Sequence, residues 1–453
     1  MNGDDHQEYA DPDSTLPPES HKFLDELQNN QVEIVKNAAT KDDKLTFWGT
    51  VVHLLIGGMS PTILNLPATF HQVGYVVGFV GSFLVVIFYA YCMHIIISCE
   101  KILCHRLQKV NMSYWEVLYY SLATGPPRTR WLARYAKPVT YIIFIAIWGG
   151  GNSTYILLIC ENIKSVLKYT CNYDVTDRFI ILWLTLPLVL LCWIPNLKVM
   201  VVCSVLSNTL NAASIAVILY VVLQNFPFFD QRIPFGDVSK LPYFLSIIFI
   251  TVNGTGLILS LKNQMKQPKK FSGPMGVVNL AYVPTGALYA IFGLLCYLKY
   301  GKGTEETVIL NLPASTFGCV VQTMYSLAVV SFYPLVTYVT FEILWDEVPK
   351  DRFDSSPKLV FFFKYSIKTI NALFSIVLAY IIPNITLFIS LIGSVCVALD
   401  SIILPAIMEW LVHSRKRSLF FKVKTIVFIV LGVALMIVGF SDSYKELVEF
   451  YST

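Results

Sequence analysis

Residues 53–67 read His-Leu-Leu-Ile-Gly-Gly-Met-Ser-Pro-Thr-Ile-Leu-Asn-Leu-Pro (HLLIGGMSPTILNLP). A histidine, paired glycines and a Ser-Pro step interrupt a run otherwise long and apolar enough to cross a bilayer. Pro61 has no amide hydrogen and disfavours helical backbone at Ser60, while Gly57 and Gly58 weaken the helix further. In lipid an unwound backbone leaves amides and carbonyls unpaired. Such a break survives only where protein or a polar cavity satisfies those groups.

The rest of the chain explains why such a run exists. Of 453 residues, 55% are hydrophobic and only 14% charged, and the mean hydropathy is +0.59. A soluble domain of this length needs more charge to cover its surface. The apolar pattern predicts an all-α polytopic membrane protein of about 11 spans, near 46–69, 74–98, 138–163, 178–195, 199–224, 243–262, 275–298, 319–344, 360–382, 385–411 and 424–441. Residues 1–44 form an acidic tail with too few large apolar residues to fold alone, and disorder is expected there. No cleavable signal peptide is expected, because the first apolar segment is long and lies far from the N-terminus.

Lys and Arg are concentrated in alternate loops: Lys101, Arg106, Lys109, Arg128, Arg130, Arg134 and Lys137 after the second span, Lys262, Lys266, Lys269 and Lys270 after the sixth, and Arg415, Lys416, Arg417, Lys422 and Lys424 after the tenth. With the basic loops cytoplasmic, the N-terminus is inside and residues 442–453 form an extracellular or lumenal tail.

A second interruption, Asn253-Gly-Thr-Gly256, falls in the sixth span, five spans after the first. Two breaks at matching places predict a five-plus-five inverted repeat, 46–224 and 243–411, with an eleventh helix at 424–441 and a binding site at mid-membrane. Half-helix N-termini favour an anionic group, and freed carbonyls suit an ammonium. A zwitterionic amino acid satisfies both. The substrate-binding candidates are Gly57, Gly58, Ser60, Thr62, Asn253, Gly254, Thr255 and Gly256. Ser60, Asn253 and Thr255 also suit plain capping of the half-helices.

The chain resembles the proton-coupled amino acid transporters of the amino acid/auxin permease group. The resemblance rests on HLLIGG…LNLP (53–67), ENIK (161–164), NGTGLILSLKNQMKQPKKF (253–271), YLKYGKGTEETVILNLP (297–313), YSLAVVSFYPLVTYVTFEI (325–343) and ISLIGSVCVALDSIILPAIME (389–409). It implies a LeuT-like core of ten helices plus one, with helices 1 and 6 broken, moving small amino acids by alternating access, often with a proton. Three places depart from the family pattern. Ser60, Pro61 and Thr62 stand where the family has Gly-Thr-Gly. Asn253 replaces an acidic residue, and Ser260 and Lys262 replace a Pro and a Glu.

His53 matches the family's first-helix histidine, implicated in proton coupling; imidazole titrates near physiological pH. A neutral histidine bonded to a neighbouring helix is the plainer alternative. Asp400 stands in the tenth span, where the family usually has an apolar residue. It is a second proton-coupling candidate, able to replace the acid lost at Asn253, unless it merely pairs with a polar neighbour. Gly149-Gly150-Gly151 fits close helix packing or a substrate-facing surface. Tyr333 is expected to be a packed aromatic, and Lys262 to snorkel to the headgroups.

The resemblance also implies a disulfide between the loop holding Cys171 and the one after the seventh helix, where Cys319 is the nearest thiol. No Cys/His set has metal-ligand spacing, so no metal or cofactor is expected beyond the proton as coupling ion. Paired carboxylates, HExxH and Gly-x-Ser-x-Gly are absent, which argues against an enzyme. The function expected is secondary active transport of small amino acids or close analogues. A transporter-like amino acid sensor that signals with little transport is the alternative. The expected partners are the amino acid and the lipid bilayer, with no nucleic acid and a monomeric unit. The plasma membrane is the expected location, with a lysosomal or endosomal membrane as the alternative.

Overall fold

The computed structural model describes residues 45–58, 60–194, 197–224, 232–346, 357–382, 384–413 and 418–452; the acidic tail of residues 1–44 lies outside them. The first span is two pieces, α1 (Phe47–Gly58) and α2 (Leu66–Val73), joined through a 3₁₀ turn over Pro61–Asn65. There follow α3 (Tyr75–Leu107), a short α4 (Tyr114–Ala123), α5 (Ala136–Cys171), α6 (Asp177–Cys192) and α7 (Leu197–Leu223). The sixth span is again divided, into α8 (Leu241–Val252) and α9 (Thr255–Gln264). Then come α10 (Val277–Tyr300), α11 (Thr316–Asp346) and α12 (Pro357–Ile381). The tenth span runs from α13 (Ile385–Leu391) through π-helical turns at Ile392–Val397 and Leu399–Ile403 into α14 (Leu404–Val412), and α15 (Leu419–Ser452) ends the described chain.

Among the described residues, nine helices are long and apolar enough to cross a membrane alone. The divided first span and α6, at 16 residues, fall short of that length as single helices. The eleventh helix continues past the expected boundary at 441, through Ser452. Lys445 pairs with Asp442 one turn away, and Ser443 Oγ bonds Ser390 Oγ at 3.1 Å, anchoring the extension to α13.

Both breaks lie where their sequence demands. Ser60 is extended (φ −56°, ψ 145°) before Pro61. Asn253 (φ −58°, ψ 123°) and Gly254 (φ −149°, ψ 15°) separate α8 from α9. On the face of the bundle bearing Val73 and Ile233, here the far face, the α2–α3 turn pairs with the segment before α8. Tyr75 N–H donates to Ile233 O, Val76 N–H to Pro234 O, Gly236 N–H to Val73 O and Asp237 N–H to Gln72 O, at 2.9–3.1 Å. Gly74 turns there with φ +84°, and a Cβ on Gly236 would stand 2.2 Å from Gln72 O, so this junction requires glycine at both places. On the opposite, near face, Leu45 N–H donates to Gln264 O and Lys266 N–H to Leu45 O, each at 2.9 Å.

The broken spans pack between unbroken ones. α10 lies along α3 and α1, α11 lies along α5 and α7, and the first π turn of the tenth span is wedged between α8 and α5. Small residues permit these approaches. Phe70 of α2 fills the space left by Gly78 and Gly293, where a Cβ would come within 2.6 Å and 2.5 Å of its ring. Gly150 leaves the same room for Ile392, and Gly393 for the Ser246 carbonyl. Of the three consecutive glycines, Gly149 and Gly150 therefore pack, whereas Gly151 meets nothing within 4 Å.

Candidate functional site

A broken membrane helix must find partners for its freed backbone, and here three buried tyrosines supply them. Tyr325 OH donates to Pro61 O at 2.7 Å, and Tyr289 OH to Thr251 O at 3.1 Å. Tyr89 OH accepts the Gly254 N–H at 2.7 Å. All three side chains are fully buried. Hydroxyl side chains knit the two breaks together. Thr62 Oγ1 donates to Thr251 Oγ1 at 3.1 Å, and Ser60 Oγ lies 3.0 Å from Thr62 Oγ1 and 3.4 Å from Tyr155 OH.

Below the second break a further chain runs from Tyr89 OH to Thr255 Oγ1 (3.0 Å) and on to Ser401 Oγ (2.9 Å). It ends beside Asp400, which is 1% exposed. Thr255, Tyr114 and Asn253 stand around the Asp400 carboxylate. Neither of its oxygens makes a hydrogen bond of normal geometry among the described residues, and Asn253 Nδ2 is likewise buried and unpartnered. Tyr114 OH spends its proton on the Asp400 backbone carbonyl, at 2.7 Å. Buried polar atoms left open in this way cost free energy until a proton, a cation or a donor of a bound molecule completes them. No salt bridge to Asp400 forms among the described residues.

The structure thus gathers Ser60, Thr62, Asn253, Gly254, Thr255 and Asp400 at the two breaks. Gly57 and Gly58 close α1 just before the first, and Gly256, in the first turn of α9, abuts Phe144, its Cβ position 3.2 Å from that ring. His53 is not part of the cluster. It lies on an exposed face of α1 without a hydrogen bond among the described residues. Tyr333 is fully buried, with its hydroxyl unpartnered.

Two expectations need correction. Lys262 does not snorkel: it is buried and forms an ion pair with Glu100 of α3, itself 1% exposed. A carboxylate at that depth holds the ammonium more strongly than the headgroups could, because an unpaired charge there is costly. Cys171 and Cys319 are both free thiols. The loop after α10 is closed by other means: Asn311 Oδ1 accepts the Glu305 N–H at 2.9 Å and its amide donates to Gly303 O at 2.5 Å. Cys319 sits in the first turn of α11, outside the loop a cross-link would need.

The sequence reading missed the tyrosines. Their signal was available, since tyrosine in membrane spans favours the interfaces, and Tyr89, Tyr289 and Tyr325 lie well inside theirs. It also missed Asn65, whose amide donates to Glu306 O (3.2 Å) and Thr307 Oγ1 (3.4 Å), while Thr307 donates to Glu161 at 3.5 Å.

A polytopic helical protein with two broken spans meeting at a polar centre belongs to the class of secondary transporters. A family model described as transmembrane amino acid transporter protein matches residues 43–445, and the chain belongs to that family. The proton-coupled amino acid transporter-like protein pathetic of Drosophila melanogaster is 28% identical over 410 residues, 89% of this chain and 85% of the relative. Amino acid transporter ANT1 of Arabidopsis thaliana is 24% identical over 382 residues, covering 81% and 85%. The inward-facing conformation of Mhp1 has the same architecture, with a TM-score of 0.53 at 13% identity over 90% of this chain and 92% of that one. Family membership favours transport over the sensor reading and over an enzyme.

Proposed function

We propose that this chain is a secondary active transporter of small amino acids that works by alternating access, with Asp400 carrying a coupling proton. The observation that carries the reading is the meeting of the two breaks through Thr62 and Thr251, with the open oxygens of Asp400 and the open amide of Asn253 beside them. The hydroxyls at the breaks, with the open carboxylate of Asp400 and the open amide of Asn253, suit the ammonium and carboxylate of an amino acid. The acid lost at residue 253 in sequence is replaced in space by Asp400. The proton-coupled name of the Drosophila relative supports coupling to a proton.

The near face, which carries the basic loops, is assigned to the cytoplasm. The transport unit is taken as a monomer, in the plasma membrane. The decisive experiment is uptake of a panel of labelled amino acids into proteoliposomes with and without an inward proton gradient. Wild type accumulates substrate with the gradient, and Asp400→Asn, expressed and folded normally, loses the pH dependence. Sodium-driven uptake, or pH dependence unchanged in Asp400→Asn, overturns the coupling assignment. Ligand-induced stabilisation without tracer accumulation overturns transport itself.

A further inference from the structure

A cavity of about 370 Å³ opens on the near face between α4 and α9, lined by Asn111, Ser113, Tyr114, Gly256, Ser260 and Asn263 among others. It has the room and the polar walls that water needs. Two of its wall residues lead to Asp400. Tyr114 is buried, its hydroxyl bound to the Asp400 carbonyl at 2.7 Å and its ring 5.5 Å from that of Phe144. Gly256 follows Thr255, whose hydroxyl stands beside the Asp400 carboxylate and bonds Ser401. The partition between cavity and carboxylate therefore includes the Tyr114 ring and the backbone of Gly256, with the Phe144 ring packed against both.

Resting on the assignment of Asp400 above, we propose that this cavity is the route by which the proton on Asp400 reaches the near face, and that Tyr114 is the gate on that route. The carboxylate has two sides. Asn253 and Thr255 connect it to the breaks, where the amino acid would sit, and Tyr114 connects it to the cavity. A carboxylate open to both at once would conduct protons without substrate. With its hydroxyl pinned to the backbone carbonyl, Tyr114 holds the second side shut. When that hydrogen bond opens, the carboxyl O–H breaks, its proton passes to a cavity water, and the carboxylate is left behind.

The groups facing Asp400 are compatible with such a relay. They are Tyr89 from α3, Tyr114 from α4, Asn253 and Thr255 at the second break, and Cys396 on its own span. None is a cation that would hold the carboxylate permanently ionised. In the cavity wall, Glu116 is already engaged, accepting from Ser113 N–H (2.7 Å) and Ser113 Oγ (2.8 Å) with Lys109 at 3.6 Å, whereas both oxygens of Asp400 are open.

The test uses the full chain in proteoliposomes loaded with a pH-sensitive dye, with an equimolar mixture of the twenty amino acids, labelled for exchange, as the substrate probe. Ser260→Trp fills the cavity without touching the breaks. It is expected to lower gradient-driven accumulation about tenfold while leaving exchange at equal pH unchanged, because exchange needs no net proton release. Tyr114→Ala is expected to raise proton entry in the absence of amino acids about tenfold, and Asp400→Asn in the same chain to remove that leak. Tyr114→Phe, which keeps the ring and its packing, gives a smaller leak of the same kind and serves should the alanine variant fail to fold. Equal loss of accumulation and exchange in Ser260→Trp, no change in either, or Tyr114 variants without a leak would overturn the route. Failure of the parent assignment looks different: Asp400→Asn alone then leaves wild-type pH dependence intact.

Discussion

Thr62 and Thr251, 189 residues apart in sequence, share a hydrogen bond of 3.1 Å at the point where two broken helices meet. Thr251 passes its own proton to Ile247 O at 2.6 Å, so it accepts from Thr62 without losing its local partner. Replacing Thr62 by Val keeps the shape and removes the donor. The expected cost is about 1 kcal/mol of stability. If this bond also orients the first break toward the amino acid, Thr62→Val raises KM more than it lowers the maximal rate of uptake, which initial-rate measurements would separate.

The Glu100–Lys262 pair joins α3 to α9 in a buried setting. Removing one partner strands the other, so Glu100→Ala is expected to destabilise the protein by about 3–5 kcal/mol. The double variant Glu100→Leu/Lys262→Met removes both charges and is expected to recover most of that loss. Thermal unfolding in detergent, run as a double-mutant cycle, reads the difference.

Tyr89, Tyr289 and Tyr325 each complete a backbone group at a break. Substitution by Phe leaves that group buried and open, at about 1–3 kcal/mol each. Tyr333, whose hydroxyl has no partner among the described residues, is the control: Tyr333→Phe is expected to be neutral or slightly stabilising.

Glycines at the crossings separate packing from open space. Gly393→Ala would drive a Cβ to 2.3 Å from the Ser246 carbonyl, a backbone atom that cannot turn aside. Loss of monodisperse protein in size-exclusion profiles is expected, through overpacking of about 1–3 kcal/mol or more. Gly151→Ala, with nothing within 4 Å, should fold like wild type.

Cys171 and Cys319, both free, should each react with an alkylating reagent before reduction, and peptide mapping should find no cross-link between them. Uptake is then expected to be indifferent to dithiothreitol.

The two breaks were legible because Pro61 and the Asn253-Gly254 step act locally, on the residue itself and its neighbour. The many-span helical architecture was legible from hydropathy, because each apolar run announces itself locally. Asp400 could be singled out as an acid in an apolar span, but its position beside Asn253 depends on how the tenth span winds, including two π turns that no local pattern announced. Lys262 was misread because its partner, Glu100, lies 162 residues away. Only the approach of α3 to α9 makes the pair, and snorkelling is the sensible expectation for a lysine considered alone. The tyrosine contacts were hidden for the same reason, since each joins a side chain on one span to the backbone of another.

The backbone pairing of residues 72–76 with 233–237, the pairing of Leu45 with Gln264 and Lys266, and the threonine bond between them together form three rungs linking two rails. A ladder fastened at both ends and in the middle resists having one rail slide past the other. It can still tilt as a whole, or snap a rung. The two broken spans are thus fastened to one another at each face and at their breaks, so a push on either is felt by both.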